Sequence, residues 1–198
     1  MAGRTVEHLL QDVTFALKQG LGPQDLVPML QKLAGAAPPD SDASRFARLC
    51  LARQLLGTDP FRAAALTRIL TKEEPSNDEA WGLYGLSLTI LGHYHEARRA
   101  LERACQLAPE HPGHAHNLGH LLDAAFHRPL SAIPWLRSAF DAAREEPSLA
   151  SSYAHALSGA GQGTKALEIL VQYGAMDQET ARETLLRWQN ASDGDTKE

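Results

Sequence analysis

The chain has 198 residues and a formal net charge of −5. Alanine and leucine supply 61 residues, whereas valine and isoleucine supply only 8. This balance favours helices and excludes a large sheet, because β-branched residues are the ones that suit strands. An acidic chain lacks the basic surface that phosphate contacts require, so nucleic acid is not an expected partner.

Hydropathy and cysteine content predict where the protein works. No stretch approaches the 18 apolar residues that a membrane span needs, and the first residues do not form a signal peptide. Cys50 and Cys105 are isolated and read as buried packing residues in a reducing compartment. We therefore expect a cytoplasmic protein, and the excess of arginine (14) over lysine (5) indicates a bacterial source.

The first segment, residues 1–36, has apolar residues at helical spacing in two stretches. A turn at 20–23 separates them, and Pro23 is well placed to open the second helix. The segment is predicted to be a helical hairpin, either separate or a decayed repeat. Residues 37–43 form a linker rich in proline and aspartate.

Internal repeats dominate the middle of the chain. Gly85 and Gly119 are 34 residues apart, and so are Pro75 and Pro109. A period of 34 to 35 residues is typical of stacked helical hairpins. The spacing divides residues 44–176 into the units 44–77, 78–111, 112–146 and 147–174.

The clearest unit, 78–111, has the pattern of a helical hairpin. Asp78 can cap its first helix, Gly92 can end that helix, and Pro109 can stop the second helix. The small residues Gly85 and Ala97 are expected where the two helices approach closely.

This unit resembles a tetratricopeptide repeat. The family pattern is matched by Trp81, Tyr84, Gly85, Leu88, Ala97, Leu101, Ala104 and Pro109. Unit 112–146 departs from the pattern by an extra residue near 127–129, and Pro134 is expected to kink its second helix. The resemblance implies an all-α fold, a right-handed α-solenoid of helical hairpins with an N-terminal hairpin and a C-terminal capping helix.

The C-terminal segment fits this architecture. Residues 177–190 are predicted to form the capping helix, with Asp177 as its N-cap, and residues 191–198 are predicted to be disordered. Apolar faces on the terminal helices make homo-oligomerisation an open alternative.

No catalytic motif stands out in the sequence. Ser151 and His155 share a helical face and could form a nucleophile and its base, but no orienting acid or oxyanion element accompanies them. The glycine-rich stretch 159–163 reads as the turn of a repeat. We expect no enzyme activity and no cofactor.

Histidines offer the one metal hypothesis. His111, His114, His116 and His120 are close in sequence, and His116 and His120 are four residues apart on a predicted helix. A structural site needs four convergent ligands, so the preferred interpretation assigns no metal and treats these histidines as polar groups.

The resemblance also implies a functional surface. In tetratricopeptide proteins, the inner side of each first helix lines a concave groove that holds a peptide or a helix. The predicted partner-binding residues are Arg45, Arg48, Leu86, Thr89, His116, Asn117, His120, Ser152 and His155. The same inner positions include Ala52, Leu55, Gly82, Asp123, Ser148 and Ser151.

Asn117 matches a residue that many family members use to hold the ligand backbone. Other members clamp a C-terminal carboxylate with lysine, arginine and asparagine; here the matching positions hold Gly82, Leu86, Ser148 and Ser152, so such a clamp is not expected.

The sequence therefore predicts a non-enzymatic scaffold or adaptor that binds a partner peptide or helix in this groove. The alternative is a small cytoplasmic bacterial chaperone for a secreted or membrane-associated partner.

Overall fold

The structure is a computed structural model that describes residues 5–194, with side chains through 190. This part of the chain contains eleven α-helices and no strand. None of these helices combines the length and the apolar character of a bilayer-crossing segment. The helices are α1 (Val6–Lys18), α2 (Pro23–Ala36), α3 (Asp42–Leu55), α4 (Pro60–Glu73), α5 (Asp78–Ile90), α6 (Tyr94–Leu107), α7 (Pro112–Ala124), α8 (Pro129–Ala142), α9 (Pro147–Gly159), α10 (Gly163–Tyr173) and α11 (Gln178–Gly194).

The all-α repeat fold predicted from the sequence is confirmed. Each predicted repeat unit contains one hairpin: α3/α4, α5/α6, α7/α8 and α9/α10. The chain divides into two compact units, Met1–Leu107 and Ala108–Glu198, which we call unit 1 and unit 2. The division falls between α6 and α7, so every hairpin stays whole.

Unit 1 has a leucine and alanine core. In its first part, leucines of α1, α2 and α3 pack together and are almost fully buried, because each helix turns one apolar stripe inward. The buried residues of this core include Leu9, Val13, Leu26, Leu30, Leu33, Ala47 and Leu51. Helix α5 then packs on both α4 and α6.

Unit 2 combines small residues with an aromatic cluster. Phe140 of α8 lies with its ring centroid 5.6 Å from Tyr153 of α9 and 5.0 Å from Tyr173 of α10. Helix α11 packs on α9 and α10, and its Ala181 and Leu185 are buried. The three helices before α11 are thus joined through one aromatic side chain.

Glycine sets the distance between the two helices of a hairpin in both units. A Cβ atom added at Gly85 would lie 2.6 Å from Leu101 Cγ, and one added at Gly119 would lie 2.6 Å from Leu136 Cγ. The two glycines are in equivalent positions of the repeat and face equivalent leucines. Any side chain at either glycine would force the helices apart.

Turns and caps follow the sequence with a few differences. Gly92 and Gly161 have φ angles of +78° and +75° in the turns of their hairpins, where glycine carries no steric cost. Asn77, rather than the expected Asp78, caps α5 by accepting a hydrogen bond of 2.9 Å from the Ala80 N–H. Either side chain is a good cap, and the cap lies one residue earlier than expected.

Two further features concern single residues of unit 2. Helix α8 runs from Pro129 to Ala142 and includes Pro134. Pro134 lies early in the helix and removes one backbone hydrogen bond. The extra residue of this hairpin is accommodated at His127, whose φ angle is +51°.

The C-terminal helix starts where the sequence indicated. Asp177 Oδ1 accepts a hydrogen bond of 2.8 Å from the Thr180 N–H, and this bond lowers the pKa of the Asp177 carboxyl. Helix α11 then continues to Gly194, past the expected end at 190. Of the tail predicted to be disordered, residues 195–198 lie outside the described residues, as do residues 1–4 at the other end.

The close approach at glycine leads to a stability prediction. Gly119→Ala is expected to lower the free energy of unfolding by about 1–3 kcal/mol, because the new methyl group overlaps Leu136. Urea unfolding followed by circular dichroism measures the change.

The matched control is Gly35→Ala in α2, where an added Cβ would meet no atom within 4 Å. This variant should be neutral or gain up to about 1 kcal/mol from the higher helix propensity of alanine. Equal changes in the free energy of unfolding of the two variants would show that overlap with Leu136 is not what destabilises Gly119→Ala.

Candidate functional site

The two arginines predicted to contact a partner are instead engaged within unit 1. Arg48 of α3 makes a bidentate ion pair with Glu73 of α4, at 2.9 and 2.7 Å. Arg45 Nε lies 2.9 Å from Glu74 Oε1, and Arg45 also pairs with Asp42. Bidentate pairs of this kind fix the geometry of both partners. The two arginines therefore tie α3 to the end of α4.

The predicted apolar part of the site is smaller than expected. Leu86 of α5 is half-buried, whereas the neighbouring inner positions Ala52, Leu55 and Gly82 are buried in the unit and cannot line a surface. The Thr89 hydroxyl donates a hydrogen bond of 2.9 Å to the Gly85 carbonyl within its own helix. Leu86 thus remains as the predicted site residue of unit 1 that offers an apolar contact.

An open groove in unit 1 was missed at the sequence level. It has a volume of about 570 Å³ and lies between α5 and α6, lined by Trp81, Tyr84, Arg99 and Arg103 among others. Trp81 and Tyr84 were identified only as members of the repeat pattern. The Trp81 indole N–H donates to the Pro75 carbonyl at 3.0 Å, which fixes one wall of the groove.

In unit 2 the predicted residues of α7 and α9 come together. His116 Nε2 lies 3.0 Å from Ser152 Oγ, and the Ser152 hydroxyl donates to the Ser148 carbonyl at 3.0 Å. Since the serine proton is used in that bond, His116 Nε2–H is the donor to Ser152. Burial lowers the pKa of His116, and the nearby His120 lowers it further, so the neutral ring is favoured.

A second bond joins the same two helices further along. His155 Nδ1 of α9 lies 2.5 Å from Asp123 Oδ2 of α7, and Asp123 is only 9% exposed. The hydrogen bond to Asp123 raises the pKa of His155, although partial burial opposes the effect. The His155 ring also lies 4.9 Å from the ring of Trp188 in α11, at 75°.

Two side chains of this region are at least partly exposed. Asn117 is half-buried and His120 is exposed, and the His120 ring centroid lies 6.0 Å from that of His116. Ser151 is half-buried on α9. We call the surface formed by Asn117, His120, Ser151 and Ser152 the polar face of unit 2.

The parts of a catalytic triad are present but separated. No acid was expected to orient His155. That expectation was wrong, because Asp123 is hydrogen-bonded to His155 Nδ1. Ser152, however, is bonded to His116, and among the described side chains no hydrogen bond joins the candidate nucleophile Ser151 to His155. A serine nucleophile needs the same histidine to contact both the hydroxyl and the acid. The described side chains therefore do not assemble a Ser-His-Asp relay.

The four histidines of α7 and its N-cap divide into two pairs. His111 caps the helix, and its ring stacks on that of His114 with centroids 4.0 Å apart, while His116 and His120 lie further along the helix. Through residues 5–190, no three histidine, cysteine, aspartate or glutamate side chains converge as metal ligands.

Both cysteines are buried in unit 1, one in α3 and one in α6. Burial raises the pKa of the Cys50 thiol and raises the pKa of Cys105 to about 11. Both thiols stay protonated at neutral pH, so neither is an activated nucleophile.

Comparison with known proteins identifies the fold. Residues 78–121 match the family model described as "Tetratricopeptide repeat". The chain therefore contains a segment with the sequence of a tetratricopeptide repeat. No curated protein has a matching sequence.

Solved structures share the fold of this chain. The structure titled "Functional Characterization of Pseudomonas Aeruginosa pilF" has a TM-score of 0.71 and 21% identity, covering 95% of this chain and 86% of its own. TTC0263, a thermophilic TPR protein from Thermus thermophilus, has a TM-score of 0.69 and 15% identity, covering 93% and 99%.

A third structure, YrrB, is titled "a TPR protein with an unusual peptide-binding site". It has a TM-score of 0.62 and 18% identity, and the match covers 77% of this chain and 79% of that one. At these identities the three likenesses show the fold. Tetratricopeptide-repeat proteins generally mediate protein–protein interactions.

The Asp123–His155 pair leads to a prediction for pH dependence. Because the pKa of His155 is raised above its usual value of about 6.5, the stability from this pair is fully present below pH ~6.5 and is lost as pH rises through the folded-state pKa. The cost of His155→Gln, measured by urea unfolding, should therefore be larger at pH 5.5 than at pH 8.5.

Subtracting the variant from the parent at each pH removes the contribution of His116, whose lowered pKa acts in the opposite direction. A cost that does not change with pH would contradict the assigned charge pairing.

Proposed function

We propose that this protein is a non-enzymatic interaction scaffold that holds a partner peptide or helix on the polar face of unit 2. The observation that carries the proposal is the pair of bonds between α7 and α9, at His116–Ser152 and Asp123–His155. These bonds fix the two helices side by side and leave His120 exposed and Asn117 partly exposed. A preorganised surface binds without the entropy cost of ordering itself.

The other predicted site residues take supporting roles in this proposal. His116, Ser152 and His155 hold the face in place, and Asn117 and His120 contact the partner. In unit 1, Leu86 supplies an apolar contact, with Thr89 beside it on α5, and Arg45 and Arg48 act as struts between helices. The likeness to YrrB, whose title names a peptide-binding site, supports a peptide as the ligand class.

Two observations support the remaining parts of the proposal. The separation of the serine from the Asp123–His155 pair supports a role without catalysis. The two unpaired, buried thiols support a reducing location such as the cytoplasm.

Asn117→Ala tests the polar contact. An amide that donates to and accepts from a partner backbone contributes enough that its loss should weaken capture by about tenfold. The measurement is affinity purification with mass spectrometry, followed by titration of the captured partner. Gln172→Ala on α10, which removes an exposed amide outside the polar face, is the control.

Helical circular dichroism should be the same in both amide variants. If Asn117→Ala and Gln172→Ala capture the partner equally well, the polar face is not the binding surface.

Leu86→Glu tests the apolar contact in unit 1. A carboxylate placed at an apolar contact loses its hydration on binding, so capture should fall by about tenfold or more. Leu186→Glu serves as the control, because Leu186 is 58% exposed on α11 and lies outside the proposed site. Undiminished capture by Leu86→Glu would show that Leu86 does not contact the partner.

A further inference from the structure

The polar face has an unusual charge composition for a chain that is acidic overall. Helices α7 and α9 contain no lysine, arginine or glutamate, and their one acidic residue is Asp123. Asp123 is buried and bonded to His155, so its charge is offset within the unit. The groups that face solvent are therefore imidazole, amide and hydroxyl groups, all of which can donate hydrogen bonds.

The surroundings of His120 add no competing carboxylate from the helices packed on α7. On α8 the charged residues are Arg137 and Asp141, which pair with each other at 3.4 Å. On α9 the titratable groups are His155, which is bonded to Asp123, and the buried Tyr153. His116 itself is bonded to Ser152.

We infer that the polar face of unit 2 binds an acidic peptide segment, with a side-chain carboxylate docked on His120, and that binding strengthens as the pH falls. This inference rests on the proposed function, in which Asn117 holds the peptide backbone, and specifies its partner class. A protonated imidazole donates charge-assisted hydrogen bonds to a carboxylate. The face offers no exposed carboxylate that could pair with the cationic side chains of a basic segment.

The histidines of the face have distinct roles in this inference. His116 favours its neutral form because it is half-buried, and it orients the serine of α9. The charge of His155 is matched by Asp123. His120 is exposed and does not share that pairing, so it is the histidine that presents its charge to a ligand.

The test uses the full chain and two fluorescein-labelled peptides of twelve residues, both amidated at the C-terminus. One consists of four Glu-Ser-Ala repeats, and the other has glutamine in place of each glutamate. Fluorescence anisotropy is measured at pH 6.0 and pH 8.0. The acidic peptide should bind about tenfold more tightly at pH 6.0 than at pH 8.0, and more tightly than its glutamine counterpart at pH 6.0.

Variants assign the effect to the face. His120→Ala should weaken binding of the acidic peptide at pH 6.0 by about fivefold or more and remove most of the pH dependence. His93→Ala, at an exposed histidine of unit 1, should leave both unchanged. A second variant, His120→Gln, keeps a donor without the charge and should also lose the pH dependence.

Three results would overturn the inference: no binding of the acidic peptide at pH 6.0, equal affinity for the glutamine peptide, or equal losses in His120→Ala and His93→Ala. None of these would bear on capture of a partner through Asn117, which is measured separately. Conversely, partner capture that is unchanged by Asn117→Ala would contradict the proposed scaffold role on this face.

Discussion

Close approach of two helices at a glycine is the constraint from which the rest of each repeat follows. With no side chain at Gly85 or Gly119, the second helix of the hairpin can seat a leucine directly against the backbone of the first. This contact places the two helices at a fixed distance and rotation, because a core leucine fits only one arrangement of its neighbours. The outer residues of the first helix then take defined positions, which is how packing inside the hairpin determines the surface outside it.

The polar face of unit 2 is held by hydrogen bonds between helices rather than by the core alone. His116 and Asp123 lie two turns apart on α7, and each contacts a residue of α9. Two separated bonds between the same pair of helices prevent rotation and sliding more effectively than one. Trp188 adds α11 to this arrangement through its contact with His155. Buried polar networks of this kind specify one arrangement when their members are satisfied.

The sequence predicted the fold well because the repeat is encoded locally. Glycine, alanine and proline recur every 34 to 35 residues, and each marks a close approach or a helix end that no larger residue can replace. The site was harder to predict because it depends on side chains that are distant in sequence. Arg48 reads as a free cation, since Glu73 lies 25 residues later and only the structure brings them together. Gly82 was assigned to a surface that it does not reach, because helical spacing alone does not fix the rotation of a helix.

The Asp123–His155 pair shows which contact was not predicted from the sequence and which pattern could have indicated it. Both residues were named as inner positions, but their mutual contact was not foreseen. Neighbouring first helices lie side by side in a stack of hairpins, so a carboxylate late in one and a histidine midway along the next are candidates for a bond.

Opposite protonation preferences at His116 and His155 have a structural consequence. His116 favours its neutral form and His155 its charged form, and either ring can donate to its partner over the pH range in which it changes charge. Neutral His155 still carries a proton on Nδ1 for Asp123, and protonated His116 still carries one on Nε2 for Ser152. The bonds between α7 and α9 can therefore persist while the charge on the molecule changes. A surface that keeps its geometry as its charge changes can alter its affinity for a charged ligand without refolding, and this separation of geometry from charge is what the arrangement of histidines on α7 and α9 provides.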